Sequence, residues 1–278
     1  MLRLLTIELH KLKYNKSAKV ISIVYFILIT FIAFIASIQF DFGNIHFRVA
    51  DQGIFNFPYI WHFNTYVAAT LKIFLAIVIV SMMANEYSNR TLKQNLIDGL
   101  SKKEFILSKF LTVVLFAAVS TLFVFGVSLI LGLIFSDYNE IGIIFSGMEY
   151  LLAYFIKLLA FFSFCLFLGI LVKRSAFALG FLIIWFIVEW LLYAFLRWGV
   201  FNDEYLTDKV TNFFPLMSMQ NLIIEPGSKM GAIQSAASQF GEAFDKDYSV
   251  QPLNVIIVLV WTTLFIYWSY LILKRRDL

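Results

Sequence analysis

The polar stretch NEYSNRTLKQNLIDGLSKKEFILSK, residues 85–109, lies between two long apolar runs, and the rest of the chain is organised around it. Within it Leu92, Leu96 and Leu100 recur every fourth residue, which is the pattern of one stripe on an amphipathic helix. The stretch therefore predicts a short helix, over residues 91–100, in a polar loop between two membrane spans.

The boundaries of this helix are marked by residues with known preferences for helix ends. Thr91 precedes the stripe as a helix cap, and Gly99 is placed to end the helix. Ser101 and Glu104 then form the pattern of a capping box, in which a hydroxyl and a carboxylate satisfy each other's backbone donors. A second helix is predicted to begin at Ser101 and to continue into the membrane.

Composition defines the class of protein. The chain has 278 residues, of which 61% are hydrophobic and 14% charged, and its mean hydropathy is +0.83. Soluble domains contain about 45–50% apolar and about 25% charged residues, so a polytopic membrane protein is indicated. The net charge of +4 is spread over short loops, which is not the footprint of a nucleic-acid-binding protein. Cys165 has no second cysteine with which to form an intrachain disulfide.

Six apolar runs are each close to the 20 or so residues needed to cross a bilayer. The fold class predicted is an all-α membrane protein with one transmembrane domain over residues 1–278. The predicted spans are residues 20–40, 66–84, 110–135, 150–172, 176–196 and 253–273. None of them contains proline, so continuous helices are expected.

The first nineteen residues carry leucines at helical spacing opposite charged side chains. This pattern is typical of an amphipathic helix lying at the membrane surface, which we call the elbow helix, residues 1–19. A cleavable signal peptide is the alternative, since Ala36 and Ser37 are small. A retained first span is favoured because the charged lead is long and no clear Ala-x-Ala site follows.

Basic residues are distributed unequally between the two sides of the predicted membrane domain. Fifteen of the 22 Lys and Arg residues fall in residues 1–19, 85–109, 173–175 and 274–278. The positive-inside rule therefore predicts that both termini and the 85–109 loop are cytoplasmic. Residues 198–252 are predicted to form an extracellular lid, in which residues 212–224 and 231–244 are either short helices or a loop resting on the bilayer.

Candidates for catalysis are few. The three histidines, His10, His46 and His62, fall on both sides of the membrane, and no HExxH or CxxC spacing occurs. There is also no GxxxxGK[ST] phosphate loop, so the chain is not predicted to hydrolyse ATP, to hold a metal or cofactor, or to be an enzyme.

Three charged residues lie within the predicted spans. Lys72, Lys157 and Glu189 are each expected in the outer third of the membrane, where Lys157 and Glu189 are at matching depths. Such charges are costly in lipid, so they pair or face a polar cavity. They are interpreted either as the lining of a transport path or as a structural ion pair and interfacial lysine.

The loop resembles the one between the second and third spans of ABC-2 type permeases. A Glu closes the second span, a turn follows, and a short coupling helix leads to a basic segment. The residues that carry the resemblance are Glu86, Asn89, Arg90, Thr91, Gly99, Ser101 and Lys109, with Arg90 in place of the usual Gly of the turn. The elbow helix, the six spans and the basic tail ending in Arg-Asp-Leu extend the similarity over nearly the whole chain.

The resemblance implies a transport subunit in the plasma membrane of a bacterium. Two such subunits, identical or related, would pair around a path, and each would rest its coupling helix on a separate ATPase subunit that binds ATP and Mg. The resemblance also implies export, and the composition, an apolar path with few charges, suggests a hydrophobic or amphipathic substrate such as a lipid, peptide or drug-like molecule. The residues expected at the ATPase interface are Glu86, Arg90, Thr91, Leu92, Asn95, Leu96, Gly99, Leu100, Ser101 and Lys102.

Other classes of function remain as alternatives. The loop alone is also consistent with a generic basic loop. A secondary transporter or channel would need repeat symmetry, helix breaks or an ion site, and a membrane-embedded transferase would need a clustered polar site. A membrane anchor or assembly factor of a larger complex needs no further signature and stays open.

Overall fold

A computed structural model describes residues 2–42, 45–48, 53–138, 140–229 and 247–276. These residues are almost entirely helical, as the composition predicts, apart from one antiparallel hairpin. The helices are α1 Leu2–Tyr14, α2 Lys16–Ser37, α3 Tyr59–Thr70, α4 Lys72–Ser88, α5 Thr91–Ile97, α6 Lys102–Phe135, α7 Ile141–Ile144, α8 Glu149–Val172, α9 Ser175–Phe195, α10 Glu204–Thr211, α11 Pro215–Gln220 and α12 Pro252–Arg275, and the hairpin pairs β1 Gln39–Phe42 with β2 Ile45–Arg48.

Five of the helices in the described part of the chain are long and apolar enough to cross a membrane: α2, α6, α8, α9 and α12. The pair α3 and α4 passes the same test when both are taken together, which gives a sixth span. The chain is therefore a multi-pass membrane protein, and its spans occur in the predicted order.

The prediction of continuous helices is wrong for the second span, because α3 and α4 meet at an angle of 45°. The break is at Leu71, whose backbone N–H bonds to the carbonyl of Ala68 three residues back, at 3.1 Å. The Thr70 hydroxyl also donates to the Val67 carbonyl at 2.7 Å. A threonine hydroxyl that donates to a backbone carbonyl competes with the helical N–H groups and can bend a helix that contains no proline. The absence of proline therefore did not predict a straight helix here.

The elbow helix ends earlier than predicted. Asn15 separates α1 from α2, and its side-chain oxygen accepts a hydrogen bond from the backbone N–H of Ala18 at 3.1 Å. Because this cap starts a new helix, Lys16 and Lys19 belong to α2 and not to the surface helix.

Helix α8 is the centre of the bundle. It packs against α3, α4, α6, α9 and α12, and eighteen of its 24 residues are buried. In contrast, α9 buries only Ala178, Leu182 and Glu189 of its 21 residues. One long apolar helix is therefore attached to the bundle by a narrow face.

The basic segments meet at one end of the bundle, which we call the basic end. It contains α1, α5, the junction between α8 and α9, and the end of α12. The opposite end contains α10 and α11, and α11 is the helix expected within residues 212–224. The second expected helix, residues 231–244, lies outside the described residues.

Candidate functional site

The turn between α4 and α5 takes the geometry of a glycine turn although it contains none. Arg90 has φ 57° and ψ 15°, which is the left-handed region that favours glycine. Arg90 therefore adopts the backbone conformation for which a glycine is the usual residue.

Thr91 was predicted to cap α5, and that prediction is wrong. Arg90 occupies the cap position with no side-chain hydrogen bond, and Thr91 is the first residue of the helix. Its hydroxyl donates instead to Oε2 of Glu86 at 2.6 Å. Thr91 thus ties the start of α5 to the end of α4.

The predicted end of α5 is confirmed. Gly99 has φ 96°, and the N–H groups of Gly99 and Leu100 bond back to the carbonyls of Leu96 and Asn95 at 3.2 and 3.0 Å. This pair of bonds is the Schellman arrangement that satisfies the last carbonyls of a helix.

The capping box at the start of α6 is also confirmed. The Ser101 hydroxyl accepts from the N–H of Glu104 at 3.1 Å, and a Glu104 carboxylate oxygen accepts from the N–H of Ser101 at 2.9 Å. Helix α5 is therefore fixed by defined turns on both sides.

The leucine stripe packs toward the bundle. Leu92 is buried, and Leu96 and Leu100 are half-buried against the core. Their position at an ATPase interface stays a prediction, and much of their apolar surface is already covered within the chain. The exposed face of α5 and its last turn carries Lys93, Gln94, Ile97 and Asp98.

Ile97 is the residue that sequence reasoning missed. Its side chain is 74% exposed, on a face that is otherwise polar. The available signal was its position one residue after Leu96 and four after Lys93, which puts it on the polar side of the helix.

A buried cluster of charges lies beneath α5. Nζ of Lys109 is 2.6 Å from Oε2 of Glu8 and 2.6 Å from Oε1 of Glu86. Lys11 reaches the same Glu86 oxygen at 2.8 Å and lies 3.6 Å from Glu8. The four charges balance, and three of the groups are almost fully buried: Lys109 at 0%, Glu8 at 2% and Glu86 at 3% exposure.

Glu86 is the centre of this cluster and not a surface contact. It accepts from Lys11, Thr91 and Lys109, and the amide of Asn95 lies 3.5 Å from its second oxygen. Helices α1, α4, α5 and α6 therefore meet at one carboxylate. Short contacts at Glu86 therefore connect α5 with both α4 and α6.

The end of the chain closes the same end of the bundle. Nζ of Lys102 donates to the carbonyls of Lys274 and Arg276 at 3.3 and 2.8 Å. The Arg276 guanidinium donates to the Ile170 and Leu171 carbonyls at 2.6 and 3.0 Å. Lys102, which was expected at the ATPase interface, is thus engaged within the chain.

The expected pairing of Lys157 with Glu189 is not formed. Glu189 accepts from the N–H groups of Leu216 and Met217, the latter at 2.9 Å, at the start of α11. Lys157 donates to the carbonyl of Gln220, the last residue of α11, at 3.3 Å. The two charges hold opposite ends of one short helix, each with the sign that the helix dipole favours.

Lys72 is the first residue of α4, directly after the bend between α3 and α4. The second span begins at Tyr59 and not near Tyr66, so Lys72 is thirteen residues from one end of the bent pair and sixteen from the other. Its Nζ lies 4.6 Å from the centre of the Phe161 ring. Its predicted position in the outer third of the membrane stays a prediction, although by residue count Lys72 is near the middle of the bent pair.

At the opposite end Lys229 lies 4.3 Å from the centre of the Tyr248 ring. Partial burial lowers the pKa of Lys229, and the nearby Asp247 carboxylate opposes that shift. The pKa of Asp247 is lowered mainly because its carboxylate accepts from the backbone N–H of Ser249. These contacts tie residues 227–229 to the segment that precedes α12.

The described residues contain no group of three or more His, Cys, Asp or Glu side chains that could hold a metal ion. The model of one family, described as "Protein of unknown function (DUF2705)", matches residues 60–278. No curated protein matches the chain. The match runs from the second residue of α3 onward and includes Glu86, α5 and Lys109, but not the Glu8 that completes the cluster.

Proposed function

The chain belongs to the DUF2705 family, and from the geometry of its basic end we propose that it is the membrane-spanning subunit of an ATP-driven exporter of the ABC-2 permease type. A separate ATPase binds ATP and Mg and docks on α5. The observation that carries the proposal is the position of α5. It is held on its inner side by the cluster around Glu86, and it exposes one apolar side chain, Ile97, on its outer side.

The attachment favours force transmission. Helix α5 joins α4 and α6 through short turns, and Glu86 connects both neighbours to it through contacts of 2.6 Å. An inward push on α5 therefore displaces α4 and α6 together. Switching between two packed arrangements by such a displacement is a known route to conformational change.

Ile97 supplies the docking contact in this proposal. Burying an isoleucine side chain is worth about 1.5–3 kcal/mol, and the surrounding Lys93, Gln94 and Asp98 provide a polar rim. The proposed ATPase interface is therefore the exposed face of α5, around Ile97, and not the leucine stripe.

Orientation and stoichiometry complete the proposal. The excess of Lys and Arg at the basic end favours a cytoplasmic position for α5, where an ATPase has access to it. A second copy or a related chain is proposed to cover part of α9, whose side chains are mostly exposed. The cargo is proposed to be hydrophobic or amphipathic.

The test is co-purification of the full chain under mild detergent, followed by an ATPase assay on the complex. Ile97→Asp should weaken ATPase association by tenfold or more and lower ATP hydrolysis in the complex. The matched control is Ile141→Asp, because Ile141 is 75% exposed in α7, outside the basic end. It should leave both quantities unchanged.

Two outcomes would overturn the proposal. One is recovery of the native complex with no ATPase subunit, as expected of a membrane anchor or assembly factor. The other is equal association of the wild-type and Ile97→Asp chains with the ATPase.

A further inference from the structure

A cavity of about 230 Å³ lies between α4, α8, α9 and α11. Most of its lining is apolar, and the exceptions are Thr70, Lys72 and Gln220. Ile73, Ile183 and Phe186 line it and are also exposed on the outside of the bundle, so the cavity opens toward the lipid.

Lys72 places an ammonium group at this cavity without a matching carboxylate. Its Nζ lies over the ring of Phe161, and no described Asp or Glu is within ion-pair distance of it. Phe161 is twelve residues after Glu149 and eleven before Val172, so the ammonium is near the middle of α8. A charge at that depth costs at least about 2.5 kcal/mol unless it is paired or hydrated.

A second ammonium adds to the positive potential. Lys157 is one helical turn from Phe161 on α8 and is buried, and its hydrogen bond goes to the Gln220 carbonyl. Gln220 itself lines the cavity. Glu189, the carboxylate expected to balance Lys157, is committed to the backbone of α11 and to the indole N–H of Trp185 at 2.7 Å.

Helix α11 forms one wall of the cavity through Leu216, Met219 and Gln220. Its two ends are held by Glu189 and Lys157. The wall is therefore fixed in place, and the cavity is a feature of the packed bundle and not of a loose surface loop.

We propose that this cavity binds an anionic amphiphile, whose negatively charged oxygen group lies beside Lys72 and whose apolar tail passes between Ile183 and Phe186 into the bilayer. The charge of the occupant follows from the two unbalanced ammonium groups. Its size follows from the volume, because pockets for whole drug-sized ligands measure about 300–1,000 Å³ and this cavity suits only the head end of a longer molecule. The proposal does not require an ATPase partner.

The experiment uses the purified full chain in neutral detergent with a diazirine-bearing fatty acid as the probe. Photolabelling should fall on α4, α8, α9 or α11, and the fatty alcohol of the same chain length should label at least tenfold less. Lys72→Met should lower labelling by the fatty acid at least tenfold, whereas Lys72→Arg should retain it within threefold. Lys209→Met is the control, because Lys209 is exposed on α10.

Competition identifies the source of the anion. Displacement of the probe by phosphatidylglycerol, and not by phosphatidylcholine, assigns the site to a lipid of the bilayer, whereas displacement by oleate alone assigns it to free fatty acids. Displacement by neither overturns the proposal.

Equal labelling of wild type and Lys72→Met, or equal labelling by acid and alcohol, also overturns it. Should Lys72→Met fail to fold, Ile183→Trp fills the cavity while keeping both lysines, and undiminished labelling of that variant would count against the site.

Discussion

Replacing Lys109 with methionine removes the positive charge from the centre of the buried cluster while keeping a side chain of similar length. In the native chain its ammonium lies 2.6 Å from a carboxylate oxygen of Glu8 and 2.6 Å from one of Glu86. In Lys109→Met both carboxylates stay buried, and only Lys11, whose side chain is 33% exposed, is left to balance them.

The magnitude follows from the cost of leaving a buried charge without its partner, which is about 3–5 kcal/mol. We therefore expect the free energy of unfolding of Lys109→Met to fall by about that amount. Lys93→Met removes an exposed lysine from the same end of the bundle and should change the free energy by no more than about 0.5 kcal/mol.

A double variant separates charge balance from packing. Lys109→Met with Glu86→Gln leaves Glu8 and Lys11 as a balanced pair 3.6 Å apart, so it should be more stable than Lys109→Met alone by about 1 kcal/mol or more. The measurement is equilibrium unfolding in mixed micelles as the fraction of denaturing detergent rises. A loss below about 1 kcal/mol for Lys109→Met, with simple additivity in the double variant, would refute the buried-cluster argument.

Two further predictions follow from packing and from orientation. Gly132→Ala should destabilise the fold by about 1–3 kcal/mol, because a Cβ at this position would overlap the ring of Phe57. The control is Gly126→Ala, whose Cβ would meet no atom within 4 Å and which should be neutral or stabilising. Equal melting temperatures of the two variants would contradict this. In intact cells Lys93→Cys should react with membrane-impermeant maleimide only after permeabilisation, because α5 is proposed to lie on the cytoplasmic side. The native Cys165 is buried and should contribute no background labelling. Labelling before permeabilisation would place α5 on the outer side.

Local chemistry made the C-terminal end of α5 and the start of α6 predictable. The conformation of Gly99 and the Ser101–Glu104 capping box depend on residues within a few positions of one another, so the sequence contains all the partners. The six spans were predictable for a similar reason, since length and apolarity are properties of each segment alone.

The direction of the leucine stripe could not be predicted from the sequence. An amphipathic helix in a loop can turn its apolar face toward its own bundle or toward another subunit, and the spacing of Leu92, Leu96 and Leu100 is the same in both cases. The outcome depended on where Glu86 and Lys109 hold the helix. That position, in turn, depends on Glu8, which is 101 residues away from Lys109 in the chain.

The intramembrane charges show the same limit. Depth along the spans suggested that Lys157 and Glu189 meet, but each instead binds the backbone of α11. Every residue has a backbone N–H or carbonyl group, so the residue types do not show which of these groups will bind a charge. A pairing deduced from side chains alone therefore does not consider the backbone of α11.

The guanidinium of Arg276 bears on how the protein is made. It donates to the terminal carbonyls of α8 and to the hydroxyl of Tyr87, 189 positions earlier. Because Tyr87 and Ile170 are synthesised well before Arg276, these contacts form only after α4, α8 and α12 have all been made. A chain that stops before Arg276 would leave the Ile170 and Leu171 carbonyls without this donor, a structural difference that quality-control proteases can detect.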